Sequence, residues 1–270
     1  MALHALNTTH RASGNILASL GRPFLSAGRF LSELGRLFRD TAVAIARGRF
    51  SGAAVIKQAY EIGNRSVPFI AITLGVLGLI SVYQVATQVA QIIPDFSMIG
   101  AAFIQMMVRE FAPTITGLMV ATRVGSGIAA EIGSMVVTEQ VDALRMCNAD
   151  PVEYLVAPRT IASAVMVVML TAVGVVFATF AGMLVGKGAF GIPYNTFLSL
   201  QLTGIGDVAI GVTKALSYGI AIPVIASQAG LATTGGSAGV GWAATSAVVN
   251  TSFAVIVIDF VISALAFLVH

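Results

Sequence analysis

Long stretches without charge alternate with short polar segments along this chain of 270 residues. The runs 66–94, 160–186 and 215–258 contain no Asp, Glu, Lys or Arg, and the last of them is long enough for most of two crossings. A helix needs about 20 apolar residues to cross the hydrocarbon core of a bilayer. The alternation typical of a barrel strand is absent, so the pattern predicts membrane-spanning helices. We predict five spans, at 67–92, 98–122, 160–186, 207–229 and 243–268.

The segments that separate these spans contain turn-forming residues. The sequence Pro94-Asp95-Phe96-Ser97 predicts a turn between the first two spans, and Asp95 or Ser97 is placed to cap the second helix. The segment 188–206 has the length of a sixth span, but its glycines, proline and polar residues favour a loop or a partly inserted segment. The pattern therefore predicts an all-α polytopic membrane protein.

The composition supports a membrane protein. The chain is 57% hydrophobic and 10% charged, whereas soluble domains carry about 25% charged residues. Its net charge is +3, and because this basicity lies beside a membrane, anionic lipid is the expected partner rather than nucleic acid. Cys147 is the only cysteine, which excludes an internal disulfide. The segment 1–20 lacks the apolar core of a signal peptide.

The region 1–65, ahead of a membrane domain at 66–270, contains a predicted amphipathic helix from Phe24 to Arg47. Its apolar residues recur with helical spacing, and its charged residues fall largely on the other side. A basic amphipathic helix of this kind usually lies in the membrane interface. The alternative is a helix that packs against a soluble partner.

The distribution of basic residues predicts the orientation. The region 1–65 contains nine Lys or Arg, and the segment 123–159 contains three more. The segments predicted on the opposite side of the membrane contain little basic charge beyond Lys187. The positive-inside rule then places the N-terminus and the segment 123–159 in the cytoplasm and the C-terminus outside. The loop 230–242 is cytoplasmic in this topology although it contains no basic residue.

The segment from Arg123 to Arg159, here called the charged segment, is unusually polar for this chain. The chain has 15 basic and 12 acidic residues, and eight of these charged residues lie in this segment. These eight residues are Arg123, Glu131, Glu139, Asp142, Arg145, Asp150, Glu153 and Arg159. A charged helical segment between two spans offers a binding surface to a soluble protein, and the alternative is a solvated face without a partner.

The charged segment is predicted to form two short helices joined by a tight turn. In 126–146, polar residues repeat every three to four positions and so share one face, with Asp142 and Arg145 as an i, i+3 pair. Asp150 is a favourable N-cap, and the following Pro151 fits the first helical position. Ala157-Pro158 is expected to interrupt the helical structure before the next span.

Four ionisable residues fall inside predicted spans, where charge is costly and is usually paired or functional. At 1.5 Å per residue, Arg109, Lys214 and Asp259 lie roughly 16, 10 and 14 Å from the outer ends of their spans. Arg109 and Glu110 project about 100° apart on a helix, so each needs another partner. We predict a polar cluster with Lys214 against Asp259 and with Arg109 or Glu110 near the path of a lipid headgroup. The alternative is that these ion pairs only fix helix packing.

Several kinds of catalytic chemistry have no sequence support. No Gly is followed by Lys-Ser or Lys-Thr, so a Walker phosphate loop is absent. His4, His10 and His270 lie near the termini without metal-ligand spacing, and no nucleophilic triad is arranged. We therefore expect no enzyme activity, no metal and no cofactor in this chain. Small residues at Ala178, Gly182 and Gly186 predict a tight helix–helix seam.

Several short motifs in the sequence resemble those of the MlaE/YrbE permease family. The resemblance extends in consistent order over about residues 25–270. It is carried by Arg-Val-Gly-Ser-Gly-Ile-Ala-Ala-Glu-Ile-Gly-Ser-Met at 123–135, Thr-Glu-Gln-Val-Asp-Ala-Leu at 138–144, Asp150-Pro151, Ala157-Pro158-Arg159, Arg109-Glu110-Phe-Ala-Pro113, Gly235-Gly236-Ser-Ala-Gly239-Val-Gly241 and Asp259-Phe260. Two departures are Gly127, where an Ala-like residue is expected, and Trp242 with Ser246, where basic residues are expected.

The resemblance implies the permease subunit of a lipid-transporting ABC system in the bacterial inner membrane. It implies that 126–146 is a coupling helix in a groove of a cytoplasmic ATPase that binds the ATP. The residues that would contact the ATPase or hold the helix in shape are Glu131, Glu139, Gln140, Asp142 and Leu144. The implied partners are a second permease subunit, identical or paralogous, an ATPase dimer, a periplasmic MCE-domain protein and a membrane lipid.

Two other functions fit the composition. A secondary transporter would use Arg109, Glu110, Lys214 and Asp259 as an ion or proton relay, but it would be expected to show an internal repeat with paired broken helices, and we see none. A membrane scaffold would anchor a soluble complex without transporting anything. Lipid flux in liposomes with and without an ATPase separates the three.

Overall fold

The computed structural model describes residues 28, 31–48, 50–92 and 98–269, and these residues form helices and no strand. Five helices are long and apolar enough to cross a membrane, which confirms the all-α, five-span prediction. Together with three shorter helices they are named here in chain order. The bounds are α1 31–46, α2 Gly52–Ile92, α3 Ile99–Val137, α4 Gln140–Met146, α5 Val152–Phe190, α6 Tyr194–Phe197, α7 Ile205–Leu231 and α8 Gly236–Val269.

Helix α1 covers the described part of the predicted amphipathic helix. Its apolar face packs on α5 and α7, where buried Leu37 contacts the cluster that contains Val156 and Val224. Arg39 and Asp40 are exposed on its other side. The amphipathic character and the interfacial position of α1 both stay predictions. Residues 24–27 and 29–30 of the predicted helix lie outside the described residues, as does the predicted turn 94–97 with its caps Asp95 and Ser97.

Two helices extend well beyond the predicted spans. Helix α2 begins at Gly52 rather than at residue 67, and α3 continues to Val137 rather than ending near residue 122. The prediction of a separate helix over 126–146 is therefore wrong in its first half, because residues 126–137 complete α3. Only Gln140–Met146 forms a short helix of its own. An apolar run shows where a helix crosses the hydrocarbon core, but the helix can continue beyond the membrane surface.

The predicted break at Ala157-Pro158 is also wrong, because α5 runs through it to Phe190. The first turn of α5, Val152–Val156, is a wide π-helical turn that directly precedes Ala157-Pro158. A proline lacks the N–H that an ordinary helix would use, and an irregular turn at a helix start tolerates that loss. The predicted cap is present, since the Val152 N–H donates to Asp150 Oδ1 at 2.9 Å.

Helix α7 lies at the centre of the bundle and packs against α3, α5 and α8, while α5 packs along α2. The predicted small-residue seam is buried inside this arrangement. A methyl group added at Gly182 would meet Val82 and Phe103, and one added at Gly186 would meet the ring of Phe197. The seam therefore brings α5 close to its neighbours, as small residues do in membrane bundles.

The segment after α5 does not form a sixth span. Gly191 ends α5 in the left-handed conformation, at φ 68°, which glycine adopts at little cost. The short helix α6 follows, and its buried Phe197 packs on Phe103 of α3 with ring centroids 6.0 Å apart. The segment is thus a loop folded against the end of the bundle.

We expect Gly78→Ala to lower the free energy of unfolding by about 1–3 kcal/mol, the range typical of overpacking. A methyl group at residue 78 would collide with the backbone of Ala178, which cannot move without shifting α5. Gly75→Ala, one turn earlier on α2, is the matched control, because its methyl group would find its nearest neighbours at 4.0 Å. Thermal unfolding in detergent measures both variants, and equal unfolding temperatures would contradict a close α2–α5 contact at Gly78.

Candidate functional site

Five ionisable side chains from three helices form one continuous row inside the bundle, here called the intramembrane charged chain. Its members, in spatial order, are Asp207, Arg109, Glu110, Lys214 and Asp259. Helix α3 supplies Arg109 and Glu110 from a π-helical turn at Met107–Phe111, whose extra residue per turn alters the register of the helix. Helix α7 supplies Asp207 and Lys214, and α8 supplies Asp259.

Lys214 is the hub of the charged chain. Its side chain is 0% exposed, its Nζ contacts Glu110 Oε2, and the same Nζ lies 2.9 Å from Asp259 Oδ1. The structure thus brings Lys214 and Asp259 together and adds Glu110 as a second counter-ion. Because the three residues lie on α7, α8 and α3, one ammonium group joins three spans.

Neutral side chains complete the coordination of the two carboxylates. Asp259 Oδ1 accepts hydrogen bonds from Thr114 Oγ1 at 2.8 Å and from the Tyr218 hydroxyl at 2.6 Å. Glu110 Oε2 accepts one from Ser263 Oγ at 3.3 Å. Several donors thus hold each carboxylate in a fixed orientation in apolar surroundings.

Arg109 extends the charged chain toward the start of α7. Its guanidinium donates to Asp207 Oδ1 at 3.2 Å, and the second oxygen of Asp207 accepts from Gln105 at 3.2 Å and from the Gly204 backbone N–H at 3.0 Å. Arg109 Nε also lies 3.7 Å from Glu110 Oε1, so the sequence neighbours touch, but each has another partner. Arg109 and Glu110 are 29% and 36% exposed, which makes them the most accessible members of the charged chain.

The second candidate site is the exposed surface around α4. The turn between α3 and α4 places Glu139 in the left-handed region, at φ 59°, a conformation that non-glycine residues adopt with some strain. Glu139, Gln140 and Asp142 are exposed, whereas Leu144 is half-buried. Asp142 and Arg145 form the predicted i, i+3 ion pair at 3.1 Å. This pair is weak, because both side chains are well exposed to water.

Glu131 differs from the other residues of this site because its partner within the chain is a buried arginine. Its Oε1 lies 2.8 Å from Arg159 Nη2, and Arg159 is only 5% exposed. Arg159 Nη1 also donates to the Leu155 carbonyl at 2.8 Å. This ion pair joins the end of α3 to the start of α5, on either side of α4.

A family model for Permease MlaE matches residues 55–265 of the chain. The chain belongs to the MlaE permease family. It is 37% identical over 225 residues to a protein of Synechocystis sp. named probable ABC transporter permease protein, with 83% of this chain and 85% of that protein covered. A protein of Rickettsia bellii with the same kind of name is 34% identical over 94% of this chain and 98% of its own length.

A third relative comes from a plant. This MlaE-family chain is 32% identical over 230 residues to the Arabidopsis thaliana protein named Protein TRIGALACTOSYLDIACYLGLYCEROL 1, chloroplastic, over 84% of this chain and 65% of the relative. Family membership and the five spanning helices make the chain a multi-pass ABC transporter permease. An MlaE permease is a transporter subunit rather than an enzyme. Among the described residues, no group of three His, Cys, Asp or Glu could hold a metal ion.

The sequence prediction for this MlaE-family chain does not include Asp207, which pairs with Arg109. Asp207 is the first residue of the predicted fourth span, where a charge needs no special explanation. Its position three residues after Gly204 is the signal that identifies it, because an acidic residue at that place caps the start of a helix. The capping contact holds its carboxylate at the start of α7, within reach of α3.

Proposed function

We propose that this chain is the permease subunit of an ABC transporter that moves phospholipid or another lipid between the inner membrane and a periplasmic MCE-domain protein, driven by a separate ATPase. The observation that carries the proposal is a charged chain within the spans that remains partly exposed at Arg109 and Glu110. Ionisable side chains inside membrane spans are costly, and they are usually functional or paired. A passage for purely apolar molecules would not require them. A phospholipid offers both a charged headgroup and apolar tails.

The lipid substrate is also supported by one relative. The name of the Arabidopsis thaliana protein contains that of a galactolipid, trigalactosyldiacylglycerol. A glycolipid and a phospholipid share two acyl chains and a polar headgroup, and a passage suited to one has the amphipathic character that the other requires. We therefore assign lipid as the substrate class and leave the headgroup open.

The charged chain divides into two parts with different proposed roles. Lys214 and Asp259, joined by Tyr218 and Thr114, fix the positions of α3, α7 and α8. Arg109 and Glu110 are more accessible and so would line the path of the headgroup. Arg109 offers donors to a phosphate, and Glu110 offers an acceptor to an ammonium group.

A second permease subunit is proposed to cover α8. Only 11% of the most apolar stretch of α8 is buried within one subunit, against 56% for α7. Large side chains such as Phe253 and Phe260 are exposed on α8, and Phe69 and Ile72 are exposed on α2. Paired subunits would bring such faces together and would enclose an apolar cavity for acyl chains.

The surface around α4 is the proposed contact with the ATPase. Glu139, Gln140 and Asp142 are exposed, and Leu144 is placed to pack beside them. Glu131 would act indirectly, because its ion pair with Arg159 holds the ends of α3 and α5 together beside α4. This assignment places α4 and the N-terminus in the cytoplasm and the C-terminus in the periplasm, as the basic residues predict.

Reconstitution into liposomes tests the proposed function. With its ATPase and ATP present, the permease is expected to move labelled phospholipid to or from an added MCE-domain protein, because hydrolysis in the partner supplies the energy. ATP with an ATPase that binds but cannot hydrolyse it is the control, and it should give no net transfer. Flux that follows an ion gradient without ATPase would favour a secondary transporter, and assembly without any flux would favour a scaffold.

A further inference from the structure

A polar groove lies between α2 and α3, at the ends of these helices that are far from their connection. It has a volume of about 350 Å³ and is not part of the intramembrane charged chain. Its apolar wall includes Ile62, Val124 and Ile128. Its polar wall includes Glu61, Arg65, Arg123 and Glu131, and we call it the Arg65–Arg123 groove.

The two arginines lack carboxylate partners within the described part of the chain. Arg65 is exposed and forms no ion pair there, and Arg123 donates to the hydroxyl of Ser66. Arg65 is close enough to Arg123 for its charge to act on that guanidinium. Of the two acidic residues in the groove, Glu131 is occupied by Arg159, which leaves Glu61. Glu61 lines the same groove but forms no ion pair with Arg65 or Arg123 among the described residues. Two neighbouring cations that no carboxylate contacts favour an anion between them.

Helix geometry places this groove at the level of lipid headgroups. Helix α2 ends at Ile92, after Arg65, and α3 starts at Ile99, before Arg123. At 1.5 Å per residue, Arg65 lies roughly 40 Å from that end of α2, and Arg123 lies roughly 36 Å from that start of α3. A bilayer is about 40–45 Å thick with its headgroups. The lengths of α2 and α3 therefore independently place Arg65 and Arg123 in the headgroup layer on the side of the membrane opposite the α2–α3 connection.

We infer that the Arg65–Arg123 groove binds the phosphate group of a membrane phospholipid in the leaflet on the α4 side. The planar guanidinium of each arginine can donate two hydrogen bonds to phosphate oxygens. The apolar wall would contact the glycerol backbone and the first carbons of the acyl chains. This site does not depend on the proposed transport role, because a bound lipid in this groove would also be expected in a protein that transports nothing.

Native mass spectrometry of the purified full-length protein in detergent, titrated with dioleoylphosphatidylglycerol, tests the proposal. Arg65→Gln and Arg123→Gln are each expected to weaken lipid binding about fivefold, since a basic residue near a membrane surface contributes that much. Lys57→Gln is the matched control, because Lys57 is exposed on the same helix but does not line the groove. Dioleoylglycerol, which lacks the phosphate, should bind weakly and equally to all variants.

A steric variant keeps the test informative if loss of the Arg123–Ser66 contact disturbs folding. A side chain added at Gly127 meets open space at the groove, so Gly127→Leu should fill it without removing charge and should weaken lipid binding. Phosphatidylglycerol binding that is equal in Arg65→Gln and Lys57→Gln would overturn the inference. Inorganic phosphate that binds as tightly as the lipid would overturn it too, because the groove would then be a site for free anions.

Discussion

Replacing Lys214 by Met is expected to lower the free energy of unfolding by about 3–5 kcal/mol, the usual cost of removing one partner from a buried ion pair. Lys214 is 0% exposed, and its ammonium group contacts both Glu110 and Asp259. Without that group, two carboxylates on different helices would face each other in surroundings that solvate charge poorly. The unfolding temperature of the purified protein in detergent measures the loss.

Two further variants separate the loss of charge balance from the loss of a long side chain. Lys57→Met removes an exposed lysine and should leave the unfolding temperature nearly unchanged. Adding Glu110→Gln and Asp259→Asn to Lys214→Met should recover most of the stability, because both carboxylates that lost the ammonium group are then replaced by neutral amides. If Lys214→Met unfolds at the same temperature as Lys57→Met, the role of Lys214 as the hub of the charged chain is wrong.

The spacing of polar residues along each helix explains why the charged chain can form. All its members except Asp207 have a polar neighbour four positions away on the same helix face. These pairs are Gln105 with Arg109, Glu110 with Thr114, Lys214 with Tyr218, and Asp259 with Ser263. Sequence reasoning selects the charges by their cost in lipid and overlooks their neutral neighbours, although the same spacing rule identifies them.

The fold was predictable from the sequence at the level of helices but not of helix ends. Lipid imposes a minimum apolar length, so the apolar runs located all five spans. Nothing comparable limits a helix once it has left the bilayer. Helix α2 therefore begins at Gly52 and passes through exposed Lys57 and Arg65, and α3 continues past Arg123 to Val137.

The turn before α4 shows a different limit. Polar residues repeat with helical spacing across 126–146, so the periodicity gives no sign of the turn at Thr138-Glu139. Glycine usually marks a left-handed residue, but here the conformation falls on Glu139, at φ 59°. Asn148 adopts it as well, at φ 56°, after the last turn of α4. Asn is a common residue in this conformation at the end of a helix, whereas Glu is not, so only the turn at Glu139 lacks a sequence signal.

Reversing the charge of Asp142 by Asp142→Lys is expected to weaken association with the ATPase at least tenfold, since a like-charge contact in an interface costs several kcal/mol. Asp142 is exposed on α4 and pairs with Arg145 at 3.1 Å, so the change leaves two adjacent cations where an acidic surface stood. The fold should be retained, because an exposed ion pair contributes about 0–1 kcal/mol. Co-purification of the ATPase with the permease and its affinity in detergent measure the effect.

Asp40→Lys provides a matched control for this prediction. Asp40 is an exposed aspartate that pairs with Arg39 at 3.1 Å on α1, so the same charge reversal occurs in a similar ion pair away from α4. If α4 is the contact surface, only Asp142→Lys releases the ATPase, and both variants unfold at the temperature of the unchanged protein. Equal loss with both variants would point to a general effect of charge at the membrane surface. Normal binding by Asp142→Lys would contradict the proposal that α4 is the contact with the ATPase.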